Sequence, residues 1–73
     1  MQNLDTTFAA LSDTTRRAIL EQLMRQGETR LSDLAAPFAM SQTAVSKHVR
    51  VLSNAGLLVV EKRGRTRHCR LNA

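Results

Sequence analysis

The 73-residue sequence predicts a single domain, residues 1–73, that is mainly helical and carries one small β-hairpin (mainly α, α+β). Two observations predict it. Apolar residues recur at helical spacing as far as Ala55, interrupted only by short polar residues, a glycine and a proline at places that suit helix ends. From Leu57 onward the pattern changes to β-branched and alternating residues around one glycine, which is the signature of a hairpin.

The elements follow in order. Leu4, Phe8 and Leu11 stand at i, i+4 and i+7 and predict a short first helix, about residues 4–11, with one apolar stripe. Asp13 suits an N-cap and opens a second helix over 14–26, with Ala18, Ile19, Leu20, Leu23 and Met24 expected inward and Gly27 as its stop. "ETRL" is short and extended, a sheet-edge strand. Ser32 or Leu31 then opens a helix of one to two turns, about 32–38, limited by Pro37. Ala39 and Met40 make a tight link to Ser41, whose hydroxyl caps a fourth helix over 42–55. Helix, short turn and helix in this order make a helix-turn-helix. Gly56 takes the left-handed position after that helix, and residues 57–71 form the hairpin with Gly64 at its tip.

Composition narrows the function. Apolar residues make up 42% of the chain, enough for a core, and no apolar run approaches the roughly 20 residues of a membrane span. The N-terminus lacks a basic leader followed by a long apolar stretch, so a cytoplasmic protein is expected, and one cysteine, Cys69, cannot form an internal disulfide. The net charge of +5 is unevenly placed. Up to Met40 the basic residues Arg16, Arg17, Arg25 and Arg30 face the acidic Asp5, Asp13, Glu21, Glu28 and Asp33, whereas from Ser41 on Lys47, Arg50, Lys62, Arg63, Arg65, Arg67 and Arg70 face only Glu61. Such asymmetry within one domain suits a surface that meets a polyanion, nucleic acid before acidic membrane.

The fourth helix shows which surface. At about 100° per residue, Gln42, Ser53, Ser46, Arg50, Thr43, Asn54 and Lys47 fall within one arc of about 140°, and all are polar. Ala44, Val45, Val49, Val51, Leu52 and Ala55 take the opposite side. A helix that merely faced water would favour Glu and Lys over Ser and Thr, which are indifferent helix formers. The edges of base pairs in a major groove instead present acceptors, amino donors and methyl groups that Gln, Ser, Thr and Arg match in reach and valence. No acidic residue stands between Ser41 and Gly56 to repel phosphate. The N-terminal part of such a helix meets base edges, so Gln42, Thr43 and Ser46 are the expected base readers, while Lys47 and Arg50 reach either a guanine edge or the flanking phosphates. His48 lies in the apolar arc and reads as a packing residue whose ring nitrogens find a nearby partner. Lys62, Arg63, Arg65, Arg67 and Arg70 on the hairpin suit the phosphate backbone, with Arg65 at the tip placed to enter a minor groove.

These segments carry a family resemblance. "LSDTTRRAIL", "LSDLAAPFAMSQTAVSKHVRVLSNAGLL" and "VEKRGRTRHCRL" together resemble the ArsR-type winged helix-turn-helix transcriptional repressors of prokaryotes, in the branch without the arsenic-type thiolate motif. The likeness runs from about Phe8 to Leu71. It implies a homodimeric repressor in its full-length form, bound to an inverted-repeat operator in double-stranded DNA. Gln42, Thr43, Ser46, Lys47 and Arg50 would lie on the recognition helix, with Ser41, Lys62, Arg63, Arg65 and Arg67 toward phosphate. This sequence departs from the family pattern at three points. Thr14 stands where many relatives have proline, and no cysteine lies around Leu31 to Ala35, where metal-sensing members carry paired thiolates. Relatives also usually continue into a C-terminal helix that pairs with the first, whereas this sequence ends at Ala73.

Other classes fit less well. A winged helix that binds an acidic protein partner is the alternative, but an interface core favours aromatics and only Phe8 and Phe38 are present. Stacking on single strands or RNA needs exposed aromatics for the same reason. Catalysis lacks a nucleophile beside a base: Ser46 near Arg50 has none. Neither a cofactor nor a metal is expected, since His68 and Cys69 point to opposite faces of a strand and two such ligands do not close a site.

Overall fold

In the computed structural model residues 10–72 are described, and the greater part of the expected first helix, residues 4–9, lies outside them. Ala10 and Leu11 are helical and the chain turns at Ser12. Helix α1 spans Thr14–Gln26. Asp13 caps it: its carboxylate accepts from the amides of Thr15 at 2.8 Å and Arg16 at 3.1 Å, two donors that no helical carbonyl can reach. The two arginines that follow look backward, Arg16 Nε donating to the Ala10 carbonyl at 2.8 Å and an Arg17 terminal nitrogen to that of Leu11 at 2.7 Å. Cations thus sit on the carbonyl end of the preceding helical residues, where the backbone dipoles favour them.

Packing corrects one expectation about α1. Ile19 and Leu23 are buried as expected, but Met24 is 65% exposed and Gln22 is buried in its place. Met24 stands five positions from Ile19, about 140° round the helix, whereas Gln22 and Leu23 follow Ile19 at the i+3 and i+4 spacing that shares a face. The helix ends at Gly27, which adopts a φ of +71° and whose N–H donates to Leu23 at 2.9 Å.

The strand β1, Thr29–Arg30, is only two residues long and runs straight into α2, Leu31–Ala35. This helix begins at the earlier of the two expected starts and is shorter than the expected 32–38. Pro37 has no N–H to donate to Asp33, so the helical ladder cannot continue, and the Phe38 amide closes a turn on Ala35 at 3.0 Å instead. Phe38 still packs against the core.

Helix α3, Gln42–Asn54, starts at Ser41, whose Oγ accepts from the Ala44 amide at 3.1 Å. Its far end is a Schellman closure. The Gly56 amide donates to Ser53 and the Leu57 amide to Leu52, both at 3.0 Å, with Gly56 at a φ of +77°. Leu57 therefore belongs to the cap, and the hairpin consists of β2, Leu58–Arg63, and β3, Thr66–Leu71. Asn72 ties the returning strand to this cap, its side chain donating to the Gly56 carbonyl at 2.9 Å.

The sheet is antiparallel in the order β1-β3-β2, and β3 pairs with β1 only through Cys69 and His68. Arg63 pairs with Thr66 across Gly64 and Arg65. Gly64 has a φ of +60° and among the described residues only glycines have a positive φ, so Arg65 does not, the combination that a two-residue hairpin turn of type II′ requires. The core joins every described helix to the sheet: Ile19, Leu23, Leu34, Val45, Leu52, Leu58 and Cys69 are its largest fully buried side chains. On α3 the apolar side holds except at Val51, expected inward and 36% exposed at the edge of the arc.

Candidate nucleic-acid interface

Core packing decides which way α3 faces. With Val45, Val49 and Leu52 buried, Gln42, Thr43, Lys47 and Arg50 are exposed on the other side and Ser46 is half-buried. The hairpin stands beside this face. A concave surface of about 470 Å³ is lined by Gln42, Thr43 and Ser46 from α3, by Arg65, Thr66 and Arg67 from the hairpin, and by Arg30 to Ser32 at the start of α2. A second hollow of about 390 Å³ adjoins it, where Lys47, Arg50, Ser53 and Asn54 meet Val60 and Arg67. Among the described residues no carboxylate lines either hollow. Gln42, Thr43 and Ser46, expected to read bases, and Arg65 and Arg67, expected to meet phosphate, thus border one cationic groove although they lie far apart in sequence, whereas Ser41, Lys62 and Arg63 do not line it.

The cations of the hairpin are not equivalent. Strand alternation places Lys62 and Arg67, which pair directly, on the same face as the buried Leu58 and Cys69. That face turns toward α3. Glu61, Arg63, Thr66, His68 and Arg70 occupy the other face. There Arg63 is held by carboxylates: its two terminal nitrogens donate to Glu28 at 2.8 and 3.0 Å and its Nε to Glu61 at 2.9 Å. Arg70 donates to the other oxygen of Glu61 at 3.2 Å. The hydrogen bond from Arg63 holds the Glu61 carboxyl below the usual carboxylate range, and the same bonds hold the Arg63 proton more tightly than usual. Lys47, Arg50, Lys62, Arg65 and Arg67 have no such partner among the described residues.

Ser41 lies at the mouth of α3 with its Oγ accepting, which leaves its hydroxyl proton free to donate outward. His48 is half-buried, with Nδ1 3.3 Å from a terminal nitrogen of Arg16. Guanidinium has only protons to give, so Nδ1 is the acceptor and the ring proton resides on Nε2. This residue joins α3 to α1 and stays off the polar face. Asp13 lies 4.0 Å from the same nitrogen. Its carboxyl is held below the usual range, first by the hydrogen bond from the Arg16 amide and to a lesser degree by that from the Thr15 amide and by the charge of Arg16. Arg30 and Thr66 on the groove, and Glu28 behind the hairpin, were not singled out by the sequence. Glu28 lies 35 positions from Arg63, and no local pattern announces such a pair.

Cys69 is fully buried on the core face, and burial pushes its thiol pKa up, while the neighbouring His68 points outward to the Thr66 hydroxyl at 2.9 Å. Among the described residues no three His, Cys, Asp or Glu side chains converge as a metal site, and no helix is long and apolar enough to cross a membrane.

Comparison with known proteins agrees with this architecture. The chain is 31% identical over 72 residues to the arsenical resistance operon repressor of Bacillus subtilis (strain 168), covering 99% of this chain and 69% of that protein. The crystal structure of an ArsR family transcriptional regulator, RHA00566, superposes with a TM-score of 0.88 at 39% identity, over 97% of this chain and 76% of the other. A homodimeric winged helix-turn-helix DNA-binding domain from Mycobacterium bovis, described as a possible ArsR-family regulator, superposes with a TM-score of 0.86 at 26% identity, over 96% of this chain and 64% of that one. The family model described as bacterial regulatory protein, arsR family, matches residues 13–59, from the α1 cap into β2. With the buried and polar faces of α3 and the cationic hairpin arranged as described, this chain belongs to the ArsR family of bacterial transcriptional regulators and has its winged helix-turn-helix fold.

Proposed function

We propose that this chain represses transcription by binding an inverted-repeat operator in double-stranded DNA as a homodimer. Helix α3 enters a major groove, where Gln42, Thr43 and Ser46 meet base edges and Lys47 and Arg50 meet a guanine edge or the adjoining phosphates. Ser41, Lys62, Arg65 and Arg67 grip the backbone, with Arg65 at the tip of the wing. The observation that carries this reading is the shared groove: the uncharged readers of α3 and the wing's Arg65 and Arg67 line one hollow with no acidic residue in it among the described residues. A protein that reads DNA needs both kinds of contact in one docking pose, since phosphate contacts fix the register in which base contacts discriminate. The repressor role is supported by the likeness to the arsenical resistance operon repressor, and dimerisation by the likeness to the homodimeric domain from Mycobacterium bovis.

Selection of bound duplexes from a random pool tests it, combined with sedimentation of the complex. Enrichment of an inverted repeat with half-sites about one helical turn apart, on two copies of the protein, is expected. Gln42→Ala and Ser46→Ala should then relax base preference by about 1–3 kcal/mol at single positions and spare non-specific affinity. Equal losses on every duplex would remove direct readout from the account.

A further inference from the structure

We propose that Arg63 is a positioning residue of the wing and makes no contact with DNA. With Glu28 it braces the outer face of the hairpin against the segment between α1 and β1, and so sets where Arg65 and Arg67 stand relative to α3. The inference rests on the DNA-binding reading above.

Three observations lead to it. First, Arg63 is on the face of the hairpin that turns away from the groove, opposite in pleat to Lys62 and Arg67. Second, its guanidinium is already engaged on both edges. The planar fork takes both oxygens of Glu28 at 2.8 and 3.0 Å while Nε takes Glu61 at 2.9 Å, and Glu61 is in turn held by Arg70 at 3.2 Å. Two arginines against two glutamates leave this face with no surplus charge to offer phosphate. Third, the third strand stops short of the wing. β1 pairs with β3 only at Cys69 and His68, so residues 62–67 project as a two-stranded ribbon. A lone two-stranded ribbon is marginal in water. The Glu28 fork supports this ribbon from outside it, reaching Arg63 at its last paired position before the turn. Single exposed ion pairs contribute little, but a bidentate pair within a network is the arrangement in which they count.

The alternative role makes an opposite prediction. If Arg63 were a phosphate ligand, DNA would have to take it from Glu28, and removing that carboxylate would tighten binding. If it is a brace, removing Glu28 loosens the wing and weakens binding. The test is fluorescence anisotropy on the duplex obtained by selection, across a salt series, with Glu28→Gln, Arg63→Lys, Arg63→Ala and Arg67→Ala. Lysine keeps the charge and loses the fork. We expect Glu28→Gln and Arg63→Lys each to weaken binding by about fivefold, the upper end for an exposed network, with no change in salt slope. Arg67→Ala should lower the slope. Amide hydrogen exchange of residues 62–67 without DNA should quicken in Glu28→Gln while Cys69 stays protected. Tighter binding by Glu28→Gln, unchanged binding by Glu28→Gln and Arg63→Lys, or a reduced slope in Arg63→Ala that lysine restores would each overturn the proposal. If wild type binds no duplex at all, the DNA-binding reading fails and this role fails with it. If Arg67→Ala behaves as expected and the Glu28 and Arg63 variants do not, only the brace is lost.

Discussion

Arg67→Ala and Arg70→Ala are the same change on the same strand three residues apart, and the structure predicts different consequences for them. Arg67 shares a pleat with Lys62, lines both hollows beside α3 and has no carboxylate partner among the described residues. Arg70 is on the other face, bonded to Glu61 at 3.2 Å. The groove side carries Lys47, Arg50, Lys62, Arg65 and Arg67 as cations with no carboxylate partner among the described residues. If each neutralises one phosphate, at about 0.9 in log-log salt slope per contact, one chain on one half-site has a slope of about −4.5. Raising salt from about 50 to about 200 mM then weakens binding by roughly 500-fold. Arg67→Ala removes one contact, leaving a slope of about −3.6 and a loss of roughly 150-fold over the same range. Arg70→Ala should leave the slope at its wild-type value. Anisotropy titrations in a salt series measure both. Equal slope changes in the two variants, or a change only in Arg70→Ala, would refute the assignment of faces.

Two further outcomes follow from packing and protonation. Leu52→Ala empties a fully buried position and should cost about 2–5 kcal/mol, a large part of the roughly 4–11 kcal/mol expected for a domain of this size, whereas Val51→Ala, one residue earlier but 36% exposed, should barely move the melting temperature followed by circular dichroism. The Asp13 carboxyl is held below its ordinary range chiefly by the Arg16 amide, so its contribution is fully present above the ordinary carboxylate pKa and is lost as pH falls through the lowered value. Melting temperatures taken from about pH 6 down to about pH 2 should fall, and Asp13→Asn should flatten the fall; equally steep profiles would show that the cap carries no such linkage.

Much of the fold was legible because its signals are local. Asp13, Ser41 and Gly56 each act through hydrogen bonds to backbone groups within a few residues of themselves, so their neighbours in sequence were enough to place α1 and α3 within a residue of their observed bounds. Gly64 set the hairpin for the same reason: one residue with a positive φ fixes a two-residue turn. Errors arose where a local rule met a second constraint. Pro37 stopped α2 two residues earlier than its own position, because the missing N–H is felt one turn back. Met24 and Val51 belong to apolar stretches but sit at the margins of the stripes, where only the packed neighbours decide burial.

Residue order along the chain is enough to pick out the helix with a polar, acid-free face, its cap at Ser41, and the cationic hairpin that follows it. Those properties depend on spacing along one element, and spacing survives unfolding. It could not separate the cations of the hairpin by task. That required the register of β3 against both its neighbours, which puts Lys62 and Arg67 toward α3, and it required Glu28, far away in the chain, to be brought within hydrogen-bonding distance of Arg63. Charge partners of this kind are set by which elements pack together. Only the packed fold therefore separates Arg63 and Arg70, which are ion-paired within the protein, from Arg65 and Arg67, which line the hollow beside α3.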